Sequence, residues 1–361
     1  MSGDRRPERQ AALRSRLAAD GLDGLLLLHP PNLRYLTGFS GSAGLLLFTH
    51  ERAVLITDFR YAEQAPVEAG GTALVLMEPS DLWERLRQLV EPGPLMRVGF
   101  EREHLSVRQA ERLAKLKSVE AVPTTDLVET FRAVKDPGEV DLLSAAAHLA
   151  QAALADLLPS VRVGQTEQEI AARLEHALRS RGSEWHPFET IVASGPRSAL
   201  PHARSSARPI GLGDWLLLDF GARLGGYCAD LTRTVMVGAA DDRQREVYEI
   251  VRQAQRRARE EIQAGMTGRE ADALARDPIA AAGFGEAFGH SLGHGIGLEV
   301  HEAPRLAKTA EAPLPAGAVV TVEPGIYLTG WGGVRLEDDI HLTPAGPRCL
   351  SDGRTDLLEL H

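Results

Sequence analysis

Apolar residues come in short blocks along this chain, and the spacing inside each block predicts its form. Residues 5–19 set Leu13 and Leu17 on one side of a helix, among arginines. The block DGLLLLHP predicts a buried strand. NLRYLTGFSGSAGLLLFT and RAVLITDFRYAEQA predict strand, turn, strand and the start of a helix. TALVLM and MRVGFE predict strands; DLWERLRQLV and SVRQAERLAKLK predict helices. Strands and helices alternate, which is the pattern of an α/β layer.

The alternation stops at AVPTTDLVETFRAVKDPGEVDLL, which breaks the periodicity and carries a proline placed to open a new helix. A boundary here gives an α/β domain over 1–128 and a second domain over 129–361. The second opens with an Ala- and Leu-rich helix over 137–158. TEQEIAARLEHALRSRG predicts another helix, with a Thr at its start, a Glu three residues later and a stop at Gly182. ETIVASGPRSALPHARSS then reads as strand and loop, and WLLLDFGARLGGYCADLTRTVMVG as two strands around a glycine-rich turn. Residues 241–263 predict a long helix, and TGREADALARDPIAAAG a helix broken at Pro278. The remainder is strand and glycine loop, so an α+β domain with long antiparallel strands is expected.

Composition narrows the class. The chain has 361 residues, 43% hydrophobic and 25% charged, as in ordinary globular proteins. Lys and Arg number 40 against 50 Asp and Glu, and the net charge of −10 argues against a nucleic-acid partner. Cys228 and Cys349 make no disulfide framework and suit a reducing cytoplasm. The N-terminus is charged and lacks the apolar core of a secretion signal. The longest early apolar run, 25–28, is far short of the ~20 residues of a membrane helix. A cytoplasmic protein without a membrane partner is expected.

The candidate chemistry starts at Asp219 and Asp230, which flank the glycine-rich turn among apolar residues. A lone ionised carboxylate there is costly unless a cation or donor meets it. The stretch has no Lys, and Arg223 and Arg233 fall in the turn and at the strand's end, so a divalent metal is the natural candidate. Downstream, GHSLGHGIGLEVHE holds His290, His294 and His301, VVTVEPGIYL ends a strand at Glu323, and GGVRLEDDIHL sets Glu337 inside a strand. Asp219, Asp230, His294, Glu323 and Glu337 are four carboxylates and one imidazole. Such a set suits two ions sharing a water that becomes a nucleophile at neutral pH. Its oxygen-rich character suits manganese first, with cobalt, zinc or iron as alternatives. Alternation puts Glu337 and Asp339 on one strand face and Asp338 on the other. Arg305 could hold a peptide carboxylate. His29, His50, His104, His148, His176, His186 and His341 read as ordinary surface or core residues, and Cys228 as a small buried side chain.

The order D-x10-D, HSLGHGIG, VEPG and RLEDD resembles the pita-bread metallopeptidases, the family of methionine aminopeptidase, aminopeptidase P and Xaa-Pro dipeptidase. NLRYLTGFSGS and TDFRYAEQA resemble the creatinase-type N-terminal domain of the Xaa-Pro branch. The resemblance implies that Asp219 and Asp230 are hairpin ligands, the latter bridging. It makes His294 the imidazole ligand, Glu323 a ligand that also moves a proton, and Glu337 the second bridging carboxylate. His202 and His301 then line the substrate and steady the tetrahedral intermediate, His290 stands behind the ligands, and Arg335 sits beside the metals. One departure is Arg197, where the family usually has Asn in SGPNSALPH.

The implied activity is hydrolysis of the bond before proline, as a dipeptidase or as an aminopeptidase P on longer peptides. GHGIGLEVHE with a following Arg favours the dipeptidase. A non-catalytic peptide-binding relative and a metal-free creatinase-like hydrolase are disfavoured by the complete ligand set. The resemblance also implies a homodimer.

Overall fold

In the computed structural model, which describes residues 4–351 and 353–360, the chain forms two compact units, Met1–Arg132 and Ala133–His361. The first is built on a six-stranded sheet: β1 (Gly24–Leu27), β2 (Leu45–Thr49), β3 (Ala53–Thr57), β4 (Leu74–Met77), β5 (Met96–Glu101) and β6 (Val119–Thr124). The order is β4-β3-β2-β1-β5-β6, with β1, β2 and β3 antiparallel and the outer pairs parallel. Helices α1 (Arg6–Ala19), α2 (Pro30–Thr37), α3 (Gln64–Ala69), α4 (Leu82–Val90), α5 (Val107–Ala114) and α6 (Glu129–Arg132) connect or follow the strands.

Two expectations need correction here. The segment from Pro30 to Thr37 is a helix and not a strand. Two prolines occupy its first turn, where a missing N–H costs nothing, and Gly38 closes it at φ 86°. The stretch that breaks the periodicity begins with the last four residues of β6, an edge strand; Pro123 is tolerated there because no partner needs its amide.

The second unit opens with α7 (Pro137–Leu157), which has the expected proline in its first turn and a capping box of Asp136 and Glu139, and α8 (Glu167–Ser180), which has the expected capping box. Over Pro137–Ser160 the helix is long and apolar enough to cross a membrane by length and composition. Within this unit, however, it packs on α8 and buries Val140, Leu143, Ala146 and Ala150.

Strands β7 (Ile191–Ser194), β8 (Trp215–Phe220), β9 (Arg223–Leu224), β10 (Tyr227–Cys228) and β11 (Leu231–Val237) follow, and β8 pairs antiparallel with both β7 and β11. Helices α9 (Asp242–Glu261) and α10 (Gly268–Ala281) come next. α10 is not broken at Pro278 but runs three residues past it. So close to the end, the proline removes only one of the last intrahelical bonds.

The last strands are β12 (Gly293–Gly295), β13 (Glu302–Leu306), β14 (Val319–Val322), β15 (Gly325–Leu328), β16 (Gly332–Arg335), β17 (Asp338–Thr343), β18 (Gly346–Cys349) and β19 (Glu359–Leu360). Five of them form an antiparallel sheet in the order β13-β12-β14-β17-β18. The apolar residues of α9, α10 and these strands make one core, which includes Val247, Val251, Phe288, Val320 and Ile340. The second unit thus has the expected α+β pattern of helices and antiparallel strands, and the first is the smaller α/β layer that precedes it.

Candidate metal centre

Each acid of the centre stands at the end of a strand. Asp219 lies one residue before the end of β8 and faces Thr232 of β11 across the pair. Asp230 immediately precedes β11, and Glu323 immediately follows β14. Glu337 is not inside a strand, as expected from its sequence, but in the two-residue break between β16 and β17. The break is held by the Glu337 amide, which donates to the carbonyl of Thr232 at 3.1 Å. His294 is the middle residue of β12, and its neighbours have to be small. A Cβ at Gly293 would stand 2.0 Å from the Thr321 carbonyl oxygen, and one at Gly295 2.1 Å from that of Ala303. Glycine there lets β12 lie between β13 and β14.

The side chains converge. Donor atoms of Asp230, His294 and Glu337 all lie within 4.8 Å of one another. His294 Nε2 is 3.4 Å from Glu323 Oε1 and 3.8 Å from Asp230 Oδ2. The other ring nitrogen, Nδ1, is 3.0 Å from the Gly295 carbonyl, which as its acceptor leaves Nε2 facing the acids as a lone pair. Arg335 Nη2 donates to Asp219 Oδ2 at 2.5 Å, and Thr232 Oγ1 donates to Glu337 Oε2 at 2.6 Å. Thr321 Oγ1 donates to Glu323 Oε1 at 3.1 Å.

The electrostatics call for a cation. Burial raises the pKa of Asp230 and Glu337 far above the usual carboxylate range, and each is pushed further by the acids around it. Burial also raises Asp219, against the pull of Arg335, and drives Glu323 up to about 7. Burial lowers His294 to about 4, so the imidazole is neutral at pH 7. Asp219 Oδ1 and Asp230 Oδ1 are buried and accept no hydrogen bond from the described residues. Unpartnered carboxylate oxygens beside a neutral imidazole are a donor set that fits divalent metal.

The remaining expected residues divide. His301 stacks edge-on against His294, with ring centroids 4.4 Å apart, and is exposed on its other side. His202 is exposed; its electrostatic influence reaches Asp219 and His301. Arg305 is directly across from His294 in the β12–β13 pair, so the two side chains leave the same face. His290 Nε2 is 2.9 Å from the Tyr327 hydroxyl, which accepts from Arg335 Nη1 at 2.8 Å. Arg197 turns to the back of its loop, where Nε donates to Glu167 at 3.0 Å and Nη2 to the Arg204 carbonyl at 2.5 Å. Cys228 is buried, and its thiol is pushed up to about 12.

Sequence reasoning missed Tyr327, Thr232 and Thr321, which orient Arg335, Glu337 and Glu323. Their only signal is position: each lies on a strand that carries or precedes an expected residue. Asp338 and Asp339 are both fully buried. Asp338 is consumed by Arg233, Ser351, Gln255 and Arg259. Asp339 accepts the Asp230 amide at 3.2 Å.

Comparison with known proteins shows the family. Residues 141–344 match the model of metallopeptidase family M24, and residues 9–134 that of the creatinase/prolidase N-terminal domain. A Xaa-Pro dipeptidase of Pyrococcus horikoshii is 36% identical over 94% of this chain and 95% of its own length. A solved Xaa-Pro dipeptidase from Bacillus anthracis superposes with a TM-score of 0.95 at 43% identity, covering 98% of this chain and 100% of that one. A solved X-Pro aminopeptidase from Thermotoga maritima gives 0.91 at 38% identity, covering 97% and 99%. With family models matching both units, and relatives of this identity along nearly its whole length, the chain belongs to metallopeptidase family M24, in the branch that carries the creatinase/prolidase N-terminal domain.

Proposed function

We propose that this metallopeptidase hydrolyses the bond between a first residue and a following proline, and acts as a Xaa-Pro dipeptidase. The observation that carries the reading is the group of Asp230, Glu337 and Glu323 around His294, in which Asp230 keeps a buried oxygen with no hydrogen-bond partner among the described residues. Asp219, Asp230, His294, Glu323 and Glu337 would hold two divalent ions, manganese by preference because the donors are mostly oxygen. When bound, the ions supply Lewis acidity and lower the pKa of a shared water.

The chain's own residues do the rest. Glu323, standing at the end of β14 beside His294, takes a proton from the attacking water and delivers it to the proline nitrogen as the bond breaks. That nitrogen has no N–H of its own, so the delivered proton is what lets it leave. His301 and His202 donate to the oxygen that gains charge, where a fixed donor is most effective. Arg335 holds Asp219 in place through one oxygen and leaves the other for the ion.

Arg305 supports the dipeptidase form. A guanidinium on the face of His294 suits the free carboxylate of a proline that ends the substrate. A cytoplasmic location accords with two free cysteines. A homodimer is proposed from the likeness to the family. The deciding experiment compares a Xaa-Pro dipeptide with a Xaa-Pro tripeptide under added manganese, cobalt and zinc. Fast cleavage of the dipeptide alone is expected. Equal or faster cleavage of the tripeptide would make the chain an aminopeptidase P.

A further inference from the structure

The first unit brings together three side chains that no part of the peptidase reading uses. His29 caps the N-terminus of α2, His104 lies on the loop after β5, and Glu129 opens α6. One donor atom from each falls within 4.8 Å of the others, and His104 Nε2 is 3.6 Å from Glu129 Oε1. Ligands bound tetrahedrally at about 2.0–2.2 Å from zinc stand roughly 3.4 Å apart, so this separation already approaches that of a closed site.

Support behind the three residues is what separates them from a chance surface cluster. Asn32 Nδ2 donates to Glu129 Oε1 at 2.5 Å and to Glu101 Oε1 at 2.7 Å. The Asn32 carboxamide is itself oriented by Arg132, whose Nη1 donates to Oδ1 at 2.7 Å. The other oxygen of Glu101 accepts the amides of Leu28 and His29 at 2.7 and 3.0 Å, which fixes the backbone that presents the His29 ring. A carboxylate oriented by an amide, next to an imidazole on a pinned backbone, is how metal ligands are held from behind.

We infer that His29, His104 and Glu129 form a binding site for a late first-row divalent cation such as zinc, separate from the catalytic centre. Two imidazoles and one carboxylate are a donor set that zinc takes with a water in the fourth position. The two rings lie face to face, 3.6 Å between centroids and 8° between planes. A cation in the plane of both nitrogens therefore needs one ring to tilt, and His104, about one-third exposed on its loop, has room to do so. The bound ion would tie α2, the β5 loop and α6 together, three segments far apart in sequence.

The test counts zinc on the full-length protein. The parent, His104→Ala and Glu129→Gln are each equilibrated with micromolar zinc, desalted and measured by atomic emission. Dipeptide hydrolysis and far-UV circular dichroism establish that each variant is folded. The expected result is one zinc fewer per chain in both variants, with hydrolysis unchanged. A difference of one holds whatever number the catalytic centre retains, so failure of the peptidase reading leaves this result intact. Equal zinc in the parent and both folded variants would overturn the site. If His104→Ala does not fold, Glu129→Gln, which keeps the side chain's shape, decides alone.

Discussion

Arg335 and Asp219 make a 2.5 Å ion pair inside the second unit, with the arginine 3% exposed. The same guanidinium donates from Nε to Thr232 Oγ1 at 3.0 Å, and that hydroxyl donates on to Glu337. One cation thus orients two of the five candidate ligands, one directly and one through a threonine. Arg335→Met is expected to weaken divalent metal binding 10–100-fold, the usual effect of removing a ligand's outer partner. Isothermal titration with manganese measures it. An unchanged affinity would mean that the acids need no support from Arg335.

Glu323 immediately follows β14, and its Oε1 lies 3.4 Å from His294 Nε2. Replacing it with Gln removes the proton carrier and keeps the shape. Turnover of a Xaa-Pro dipeptide at saturating metal is expected to fall by about 10²–10⁴, with the fold intact by circular dichroism. Near-normal turnover would exclude Glu323 as the proton carrier.

The raised acids make the metal-free protein sensitive to pH. A carboxylate whose folded pKa lies above its unfolded one stabilises the fold fully below the unfolded value. That contribution is lost as the pH rises through the folded value. For Glu323 the window runs from 4.5 to about 7, and Asp230 and Glu337 are shifted in the same direction. Chelator-treated protein is therefore expected to melt at a lower temperature at pH 7.5 than at pH 5. A ligand-bound ion requires the acids deprotonated, so manganese should abolish or reverse the trend. Thermal melts across that range, with and without metal, check it.

Glu167 is fully buried, and its carboxylate accepts from Ser194, Arg197 and Ser206, which bracket the loop carrying His202. Removing a buried charge's partner typically costs about 3–5 kcal/mol. Glu167→Ala is therefore expected to lower the melting temperature by roughly 6–20 °C, at about 2–4 °C per kcal/mol for a unit of this size. Calorimetry measures the shift; a change under 2 °C would show that the loop is held by other contacts.

Much of this was readable before any coordinates. The helices after residue 137 carry Thr, Asp or Glu at capping spacings, and local chemistry alone sets where they start. The acids Asp219, Asp230 and Glu323 announce themselves because each stands within or directly beside an apolar strand. Glu337 was harder. It sits beside two other acids, and only the bond from its amide to Thr232 shows that the strand is broken there. Tyr327 gave no signal, because a tyrosine in a strand is ordinary and its role exists only through Arg335 and His290. The helix at Pro30 is hidden in the sequence because Leu33, Tyr35 and Leu36 suit a strand as well as a helix, and the two prolines decide it. His29 and His104 are 75 positions apart in the numbering, and no local pattern links them.

The pairing of Asp219 with Thr232 has a consequence for how this chain can vary over time. Because strand side chains alternate between faces, shifting β8 by one position against β11 would put Leu218 or Phe220 where the acid now stands. A one-codon insertion or deletion between residues 216 and 236 would thus erase the chemistry even if the sheet re-formed. Loops that carry none of the site residues are free of this constraint, and lineages descended from a common ancestor should differ in length there first.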